Sequence, residues 1–191
     1  MAVGIFFYST KRRRAFINKA CNEGDATGCN DVGYVYQLGI GVRQSDKKAV
    51  HYYEMACTAG NAMGCNNLGK MYLLGKGAEK DDKKSFLYTK QGCDGGNAQA
   101  CSNLSWLYRE GVGVGHNHYT ALRLAKQSCN DGNADGCLHL GWMYQRGLAV
   151  KQSYAKAKEI YSQACNEGSA QACKLDNSIF LTKDNTYIVT Y

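Results

Sequence analysis

Ten cysteines are the residues of this 191-residue chain whose chemistry and spacing stand out first. The cysteines form five pairs in the sequence. The two members of a pair lie eight positions apart, and each pair lies 36 positions after the one before. The pairs are Cys21 and Cys29, Cys57 and Cys65, Cys93 and Cys101, Cys129 and Cys137, and Cys165 and Cys173. Cysteines in this number form disulfides or bind metal. Because the chain has neither a C-x2-C spacing nor a histidine in step with the cysteines, we expect no metal and no other cofactor.

The fixed period favours one pairing of these cysteines. Sequence alone does not prove the connectivity of ten cysteines, but equivalent cysteines of a repeat should have equivalent partners. We therefore expect five local disulfides, each joining the two members of a pair. Disulfides persist in oxidising compartments, so a periplasmic or secreted location is favoured over the cytosol.

Two S-x-x-K sequences are the other candidates for chemistry, since a serine beside a suitable base can act as a nucleophile. Ser45 precedes Lys48 and Ser153 precedes Lys156, each where a helix is predicted to begin. A serine at that position caps the helix, and neither K-T-G nor S-D-N accompanies it. The pattern therefore favours capping, and no catalytic residue is assigned.

The 36-residue period of the cysteines predicts a structural repeat of the same length. A period of this length is typical of stacked supersecondary units. Counted from the second cysteine of each pair, apolar residues at +3 and +7 mark one face of a helix, and a glycine at +10 ends it. These A helices are predicted over residues 27–38, 63–74, 99–110 and 135–146.

A second amphipathic helix, the B helix, follows each A helix and ends at the next cysteine. In the B helix from Asp46 to Cys57 the predicted core residues are Ala49, Tyr52 and Ala56. Positions eight apart lie about 12 Å apart within one helix, which is too far for a disulfide. The chain must therefore turn between the two cysteines, and each disulfide would join a B helix to the A helix after it.

Small residues at +4 of the A helix predict close packing. Gly33, Gly69 and Gly141 occupy this position, and Ser105 is the exception. Because glycine inside a helix costs about 1 kcal/mol relative to alanine, its recurrence here indicates that a neighbouring helix approaches closely.

The two helix patterns, A-x2-C-x2-L-G-x2-Y-x2-G-x-G-V and K-A-x2-Y-Y-x-x-A-C, resemble Sel1-like repeats of the disulfide-stapled type found in the Helicobacter cysteine-rich proteins. The resemblance covers about residues 10–175. It implies an all-α fold, a right-handed superhelix (solenoid) of 36-residue, tetratricopeptide-like repeats with one disulfide in each. Departures from the pattern are Ser105, Ala149, Gly92 and Ser128.

Three segments follow from this organisation. Residues 1–9 form an N-terminal segment, residues 10–175 the solenoid of about five disulfide-linked helix pairs, and residues 176–191 a C-terminal cap with an extended tail. In that last part Lys174 to Leu181 is predicted to be a capping helix. Residues 1–9 are apolar and precede a basic run, which reverses the order of a signal peptide, so the export signal is expected to be absent from this chain.

Charge and hydropathy exclude two classes of partner. The net charge is +7, but residues 11–14 supply four of these charges, and no basic and aromatic surface repeats in register. No apolar run approaches the roughly 18–20 residues of a membrane span. We therefore expect neither nucleic-acid binding nor a transmembrane segment.

The outward surface of the A helices is the predicted binding site. Offsets −2, +2, +5 and +9 from the second cysteine point away from the core stripe, and we call this surface the A face. Exposed Trp, Tyr and Arg are enriched in binding hot spots. The candidate partner-binding residues are Asp31, Tyr34, Asn67, Lys70, Asn103, Trp106, His139, Trp142 and Arg146. In the alternative interpretation, Trp106 and Trp142 pack over the neighbouring A helix.

These observations predict an exported, monomeric repeat scaffold that binds a protein or peptide through its concave A face and interacts with the host or the bacterial envelope. The family resemblance implies one alternative, a β-lactam-binding protein or a slow β-lactamase-type hydrolase. The residues themselves offer no buried nucleophile with a matched base.

Overall fold

The described chain is built almost entirely of short helices. The computed structural model describes residue 19, residues 21–181 and residues 187–189. The helices are α1 (Ala26–Leu38), α2 (Asp46–Thr58), α3 (Ala62–Leu74), α4 (Asp82–Asp94), α5 (Ala98–Glu110), α6 (His118–Asn130), α7 (Ala134–Arg146), α8 (Tyr154–Asn166) and α9 (Ala170–Ser178). Odd-numbered helices are the A helices, and α2, α4, α6 and α8 are the B helices. The predicted A helices are confirmed to within one residue at each end.

Polar caps explain where the helices begin. The A helices α3, α5 and α7 start after an asparagine whose side chain accepts a hydrogen bond from a backbone N–H of the first turn. Before α2, Ser45 Oγ accepts from the Lys48 N–H at 3.4 Å, and before α8, Ser153 Oγ accepts from the Lys156 N–H at 3.2 Å. Both S-x-x-K serines are therefore N-caps, as predicted.

The chain divides into two compact units, Met1–Gly95 and Gly96–Tyr191. In unit 1, α1 packs on α2 and α3 packs on α4, and the two A helices α1 and α3 also touch. In unit 2, the same arrangement joins α5 with α6 and α7 with α8, while α9 packs on α8. The division falls inside the segment 10–175 that the sequence predicts as one solenoid. The predicted N-terminal segment, residues 1–9, lies outside the described residues.

Disulfides join each B helix to the A helix after it. The bridges Cys21–Cys29, Cys57–Cys65, Cys129–Cys137 and Cys165–Cys173 have Cα–Cα distances of 4.4–4.6 Å. Cys93 and Cys101 are disulfide-bonded as well. The prediction of an all-α repeat fold with one disulfide in each repeat is confirmed.

Close packing between the A and B helices of one repeat explains the glycine at +4. A Cβ on Gly33 would lie 2.6 Å from the ring of Tyr53, which is fully buried. The Tyr53 hydroxyl donates a hydrogen bond to Gln37 Oε1 at 2.6 Å. Of the predicted core residues, Ala49 and Ala56 are fully buried and Tyr52 packs against a core cluster, while Tyr53, which was not predicted, is fully buried as well. Tyr52 is partly buried and stacks on Tyr36, with ring centroids 5.6 Å apart.

The repeat of α5 and α6 and the repeat of α7 and α8, called repeats three and four, show that the residue at +4 of the A helix depends on the B-helix residue opposite it. In repeat four, Gly141 lies against Tyr161, whose hydroxyl donates to Gln145 Oε1 at 2.8 Å. In repeat three, Ala125 takes the place of this tyrosine. Ser105 then fits where the others have glycine, and its hydroxyl donates to the Ala121 carbonyl at 2.8 Å.

The C-terminal end differs from the prediction of a capping helix through Leu181. Helix α9 ends at Ser178, and strand β1 (Ile179–Leu181) pairs antiparallel with strand β2 (Tyr187–Val189). Ile179 lies opposite Val189 and is fully buried in the core of unit 2. A β-branched residue placed there favours an extended backbone over another helical turn.

Candidate binding surface

The A face of unit 1 carries four apolar side chains that are half exposed. Tyr34 and Leu38 lie one turn apart on α1, and Met63 and Leu74 lie on α3. Their exposed fractions range from 51% to 53%. We call these four residues the apolar patch. Leu38 and Leu74 hold the same repeat position on two helices that touch each other.

Only Tyr34 of this patch was among the predicted partner-binding residues. Leu38, Met63 and Leu74 were missed, although offsets −2 and +9 place them on the same outward surface. The signal that could have found them is an apolar residue at an outward position. Asp31 and Lys70, which were predicted, lie exposed on the same two helices.

Asn67 holds α1 and α3 together in unit 1. Its Nδ2 donates a hydrogen bond to Asn30 Oδ1 at 2.9 Å, and the Asn67 side chain is partly buried. A second link runs from Asn61 Nδ2 to Thr27 Oγ1 at 3.4 Å. The amide of Asn67 therefore already has a partner within the fold, which limits its use for gripping a peptide backbone. Its role in binding stays a prediction.

In unit 2, a row of polar contacts joins α5 to α7. Gln99 Nε2 donates to Asp135 Oδ2 at 3.1 Å, and Gln99 Oε1 accepts from Asn133 Nδ2 at 2.9 Å. One turn further along, Ser102 Oγ lies 3.3 Å from His139 Nδ1. Gln99 Nε2 also donates to the predicted Asn103 at 3.4 Å. These contacts fix the two A helices side by side.

His139 is uncharged at neutral pH. Burial lowers the pKa of His139 to about 4, and the nearby positive charge of Arg109 acts in the same direction. The carboxylates of Asp135 and Glu110 oppose this shift without cancelling it. A neutral imidazole can accept or donate a hydrogen bond at the A face without adding charge.

Trp142 contacts two arginines. The guanidinium carbon of Arg109, on the neighbouring A helix, lies 4.3 Å from the Trp142 ring centroid, and that of Arg146 lies 5.7 Å away. We call these three residues the Arg–Trp stack. Arg109 is largely buried and its Nε donates to Glu110 Oε1 at 2.7 Å, whereas Arg146 is exposed.

Neither tryptophan is as exposed as the sequence predicted. Trp142 is partly buried and packs against the core of unit 2, and Trp106 is partly buried too. The expectation of freely exposed tryptophans is therefore wrong, and for Trp142 packing on the neighbouring A helix is observed. The physical reason is that A helices of successive repeats lie close enough for an indole on one to reach the next.

The lysine side chains of the two S-x-x-K sequences contact groups other than their serines. Lys48 Nζ lies 4.9 Å from the ring centroid of Tyr36, and Lys156 Nζ contacts the carboxylate of Glu159 at 2.8 Å. No group of three or more His, Cys, Asp or Glu side chains that could hold a metal occurs among the described residues. Across that same part of the chain, no helix has the length and apolar character needed to cross a membrane.

Comparison with known proteins identifies the repeat. The family model "Sel1 repeat" matches residues 26–61, 62–97, 98–133 and 134–169. No curated protein gives a significant match. Each matched segment begins at an A helix and ends just before the next, so the family boundaries coincide with the structural repeat.

Three solved structures share this fold. A Sel1 repeat protein from Oxalobacter formigenes is 20% identical with a TM-score of 0.83, covering 88% of this chain and 67% of that one. A protective antigen of uropathogenic Escherichia coli is 26% identical with a TM-score of 0.75, covering 83% and 34%. Cysteine rich protein B of Helicobacter pylori is 28% identical with a TM-score of 0.53, covering 67% and 92%. The chain thus spans about a third of the E. coli antigen.

Proposed function

The chain belongs to the Sel1 repeat family, and from that membership we propose that it is a non-catalytic scaffold that binds a protein or peptide through its A face. Sel1-repeat proteins generally serve as protein-interaction scaffolds. The observation that carries the proposal for this chain is the apolar patch of unit 1. We take these half-exposed apolar side chains, which lie at outward positions of two touching helices, as the mark of an interaction site.

The composition of the patch suits a peptide. Tyr34 combines a large apolar ring with a hydroxyl, a combination enriched where proteins bind partners. Asp31 and Lys70 lie on the same helices and are exposed, so charged groups flank the apolar side chains, as in the polar rim of an interface. We propose that the scaffold is monomeric and uses this surface for a partner of different sequence.

An oxidising compartment is the proposed place of action. The fold carries a disulfide in each repeat, and such bonds persist in the periplasm or outside the cell. A partner from the bacterial envelope or from a host would be accessible there. We propose no enzymatic function, because both candidate serines serve as helix caps.

Site-specific photocrosslinking tests this proposal. Benzoylphenylalanine is placed at Tyr34, Leu38 or Leu74 and, as matched controls, at Leu87 and Tyr119, which are exposed apolar residues on B helices. In cells of the source organism we expect the three A-face positions to capture one shared partner. Capture of the same protein with equal yield from Leu87 or Tyr119 would contradict the assignment of the A face.

A further inference from the structure

We propose that the Arg–Trp stack of unit 2 is a carboxylate-binding site that takes an acidic segment of the partner polypeptide. This inference rests on the proposed function and names the chemistry of the partner. It concerns unit 2 alone and does not depend on the apolar patch of unit 1.

The geometry leaves the arginine donors available. The guanidinium carbon of Arg146 lies 5.7 Å from the Trp142 ring centroid, near enough for a cation–π contact, which uses no N–H donor. The N–H groups of a guanidinium match the two oxygens of a carboxylate. Arg146 is exposed, and it makes no ion pair within the part of the chain that the structure describes. Its fork is therefore free to bind a carboxylate from outside.

The stack is also held in place before any partner arrives. Trp142 packs on the core of unit 2, and Arg109 is fixed between the indole and Glu110. A side chain that is already ordered loses less conformational entropy on binding. Both arginines contact the same ring, so the charge that attracts a carboxylate stands over a rigid apolar surface.

Near Arg146 the charges favour an anionic partner, because Asp135 lies eleven residues earlier on α7, about 16 Å away along the helix axis. Glu110 is engaged by Arg109, and Asp135 accepts a hydrogen bond from Gln99. His139 contributes no charge at neutral pH. Burial raises the pKa of Tyr161, while the positive charges of Arg146 and Arg109 act to lower it.

A nucleic acid fits this surface less well than an acidic peptide. Phosphate backbones are bound by rows of lysine and arginine side chains. Here two arginines stand beside the carboxylate of Glu110, and the polar row of Gln99 and Asp135 follows on the same helices. An acidic peptide can place one carboxylate at Arg146 and lay apolar atoms against Trp142.

Peptide titration tests the inference on the full chain. Because the protein has two tryptophans, Trp106→Phe leaves Trp142 as the only indole reporter. The probes are a glutamate decamer, a glutamine decamer and a thymidine decamer, followed by Trp142 fluorescence and calorimetry at low ionic strength. We expect the glutamate decamer to bind about tenfold more tightly than the glutamine decamer, in line with a charge-assisted bidentate contact.

Variants locate the contact. Arg146→Gln should weaken glutamate binding about fivefold or more, and Arg146→Lys should only partly restore it, because an ammonium group lacks the fork. Arg123→Gln, at an exposed arginine on α6, should leave binding unchanged. Far-UV circular dichroism of each variant reports that the fold is intact.

Several results would overturn the inference. They are equal binding of the glutamate and glutamine decamers, full retention of affinity in Arg146→Lys, an equal loss in Arg123→Gln, or tighter binding of the thymidine decamer, which would indicate a nucleic-acid site. The photocrosslinking at Tyr34, Leu38 and Leu74 separates the two proposals. If those positions still capture a partner while the peptides fail, only the carboxylate site is wrong.

Discussion

At the scale of single residues, the contact between Gly33 and Tyr53 decides how closely α1 and α2 approach. We expect Gly33→Ala to lower the free energy of unfolding by about 1–3 kcal/mol, the usual cost of overpacking, because the added Cβ would lie 2.6 Å from the buried ring. Gly115→Ala is the matched control, since a Cβ there meets nothing within 4 Å. Denaturant unfolding of both variants checks the prediction, and an equal effect would contradict it.

His139 should make stability depend on pH. Between the ordinary histidine pKa of 6.5 and the folded pKa of about 4, the unfolded chain binds a proton that the native state does not. Acidification through this window therefore favours unfolding, by about 1–3 kcal/mol for this one group. Stability attributed to His139 is fully present above the unfolded pKa and is lost as the pH falls.

Urea unfolding at about pH 7.5 and about pH 4.5 measures this dependence. We expect His139→Gln to lose less stability between the two pH values than the parent chain does. His51→Gln, at an exposed histidine on α2, should behave like the parent. An unchanged pH dependence in His139→Gln would show that the imidazole is not the group responsible.

The cap serines provide a residue-scale test of the hydrolase alternative. Replacing Ser45 or Ser153 by Ala should lower stability by about 0.5–2 kcal/mol, the usual cost of a lost N-cap. Any hydrolysis of a chromogenic β-lactam should be unchanged, since each hydroxyl accepts a backbone hydrogen bond in the first turn. Loss of turnover with an intact fold would instead establish a serine nucleophile.

The offsets from the cysteines predict a shared outward surface, but they do not predict how exposed each side chain on it is. The exposed fraction of a side chain depends on how close the next A helix lies. The close approach of α5 and α7 brings Trp142 against Arg109. Tyr53 was not predicted as a core residue for a related reason. Adjacent helix positions differ by only 100°, so both rings lie near the apolar face, and Tyr53 is fully buried because Gly33 leaves space for its ring.

At the scale of elements, the turn after each A helix has a position that is glycine in most repeats and alanine in one. Gly77 has φ +74°, and a Cβ on it would lie 2.2 Å from the Asp46 carbonyl oxygen. Ala149 holds the equivalent position in repeat four with φ 58°. This is left-handed backbone that disfavours residues with a Cβ. The alanine therefore leaves strain in the turn between α7 and α8.

We expect Ala149→Gly to raise the free energy of unfolding by about 0.5–1 kcal/mol, because relief of the left-handed strain exceeds the added freedom of the unfolded chain. Gly77→Ala, the reverse change at the equivalent turn, should destabilise the protein clearly. Thermal melts of the two variants are compared with the parent chain. If Ala149→Gly melts at a lower temperature, the strain argument does not hold.

Helix positions were predictable because the 36-residue period repeats the same caps, glycines and cysteines. The C-terminal hairpin was not, because nothing repeats there. The alternation of residues 186–191 indicated extended backbone, and β2 is extended. Its pairing with β1, and the early end of α9 at Ser178, depend on a contact between segments that no local pattern specifies.

At the scale of the whole molecule, the spacing of the cysteines and glycines predicts the family, the repeat and the disulfides. It does not predict the identity of the partner. Binding specificity lies in the positions that do not repeat. The apolar patch of unit 1 and the Arg–Trp stack of unit 2 occupy equivalent surfaces with different chemistry. A family pattern, which records what the repeats share, therefore says least about the residues that distinguish one member's partner from another's.

The bridges described above join cysteines only eight positions apart, so the order in which cysteines leave a ribosome or a translocation pore is also the order in which they pair. An oxidase that joins each new thiol to the one before it therefore makes native bonds without proofreading by an isomerase. Closing the short loop also costs less entropy than reaching the next repeat. Reduced, unfolded protein given glutathione disulfide as the oxidant, together with reduced glutathione and no isomerase, should accordingly recover its native bridges, and an absolute need for an isomerase would refute this view. Such a chain can be lengthened by whole repeats without adding to the difficulty of its oxidation.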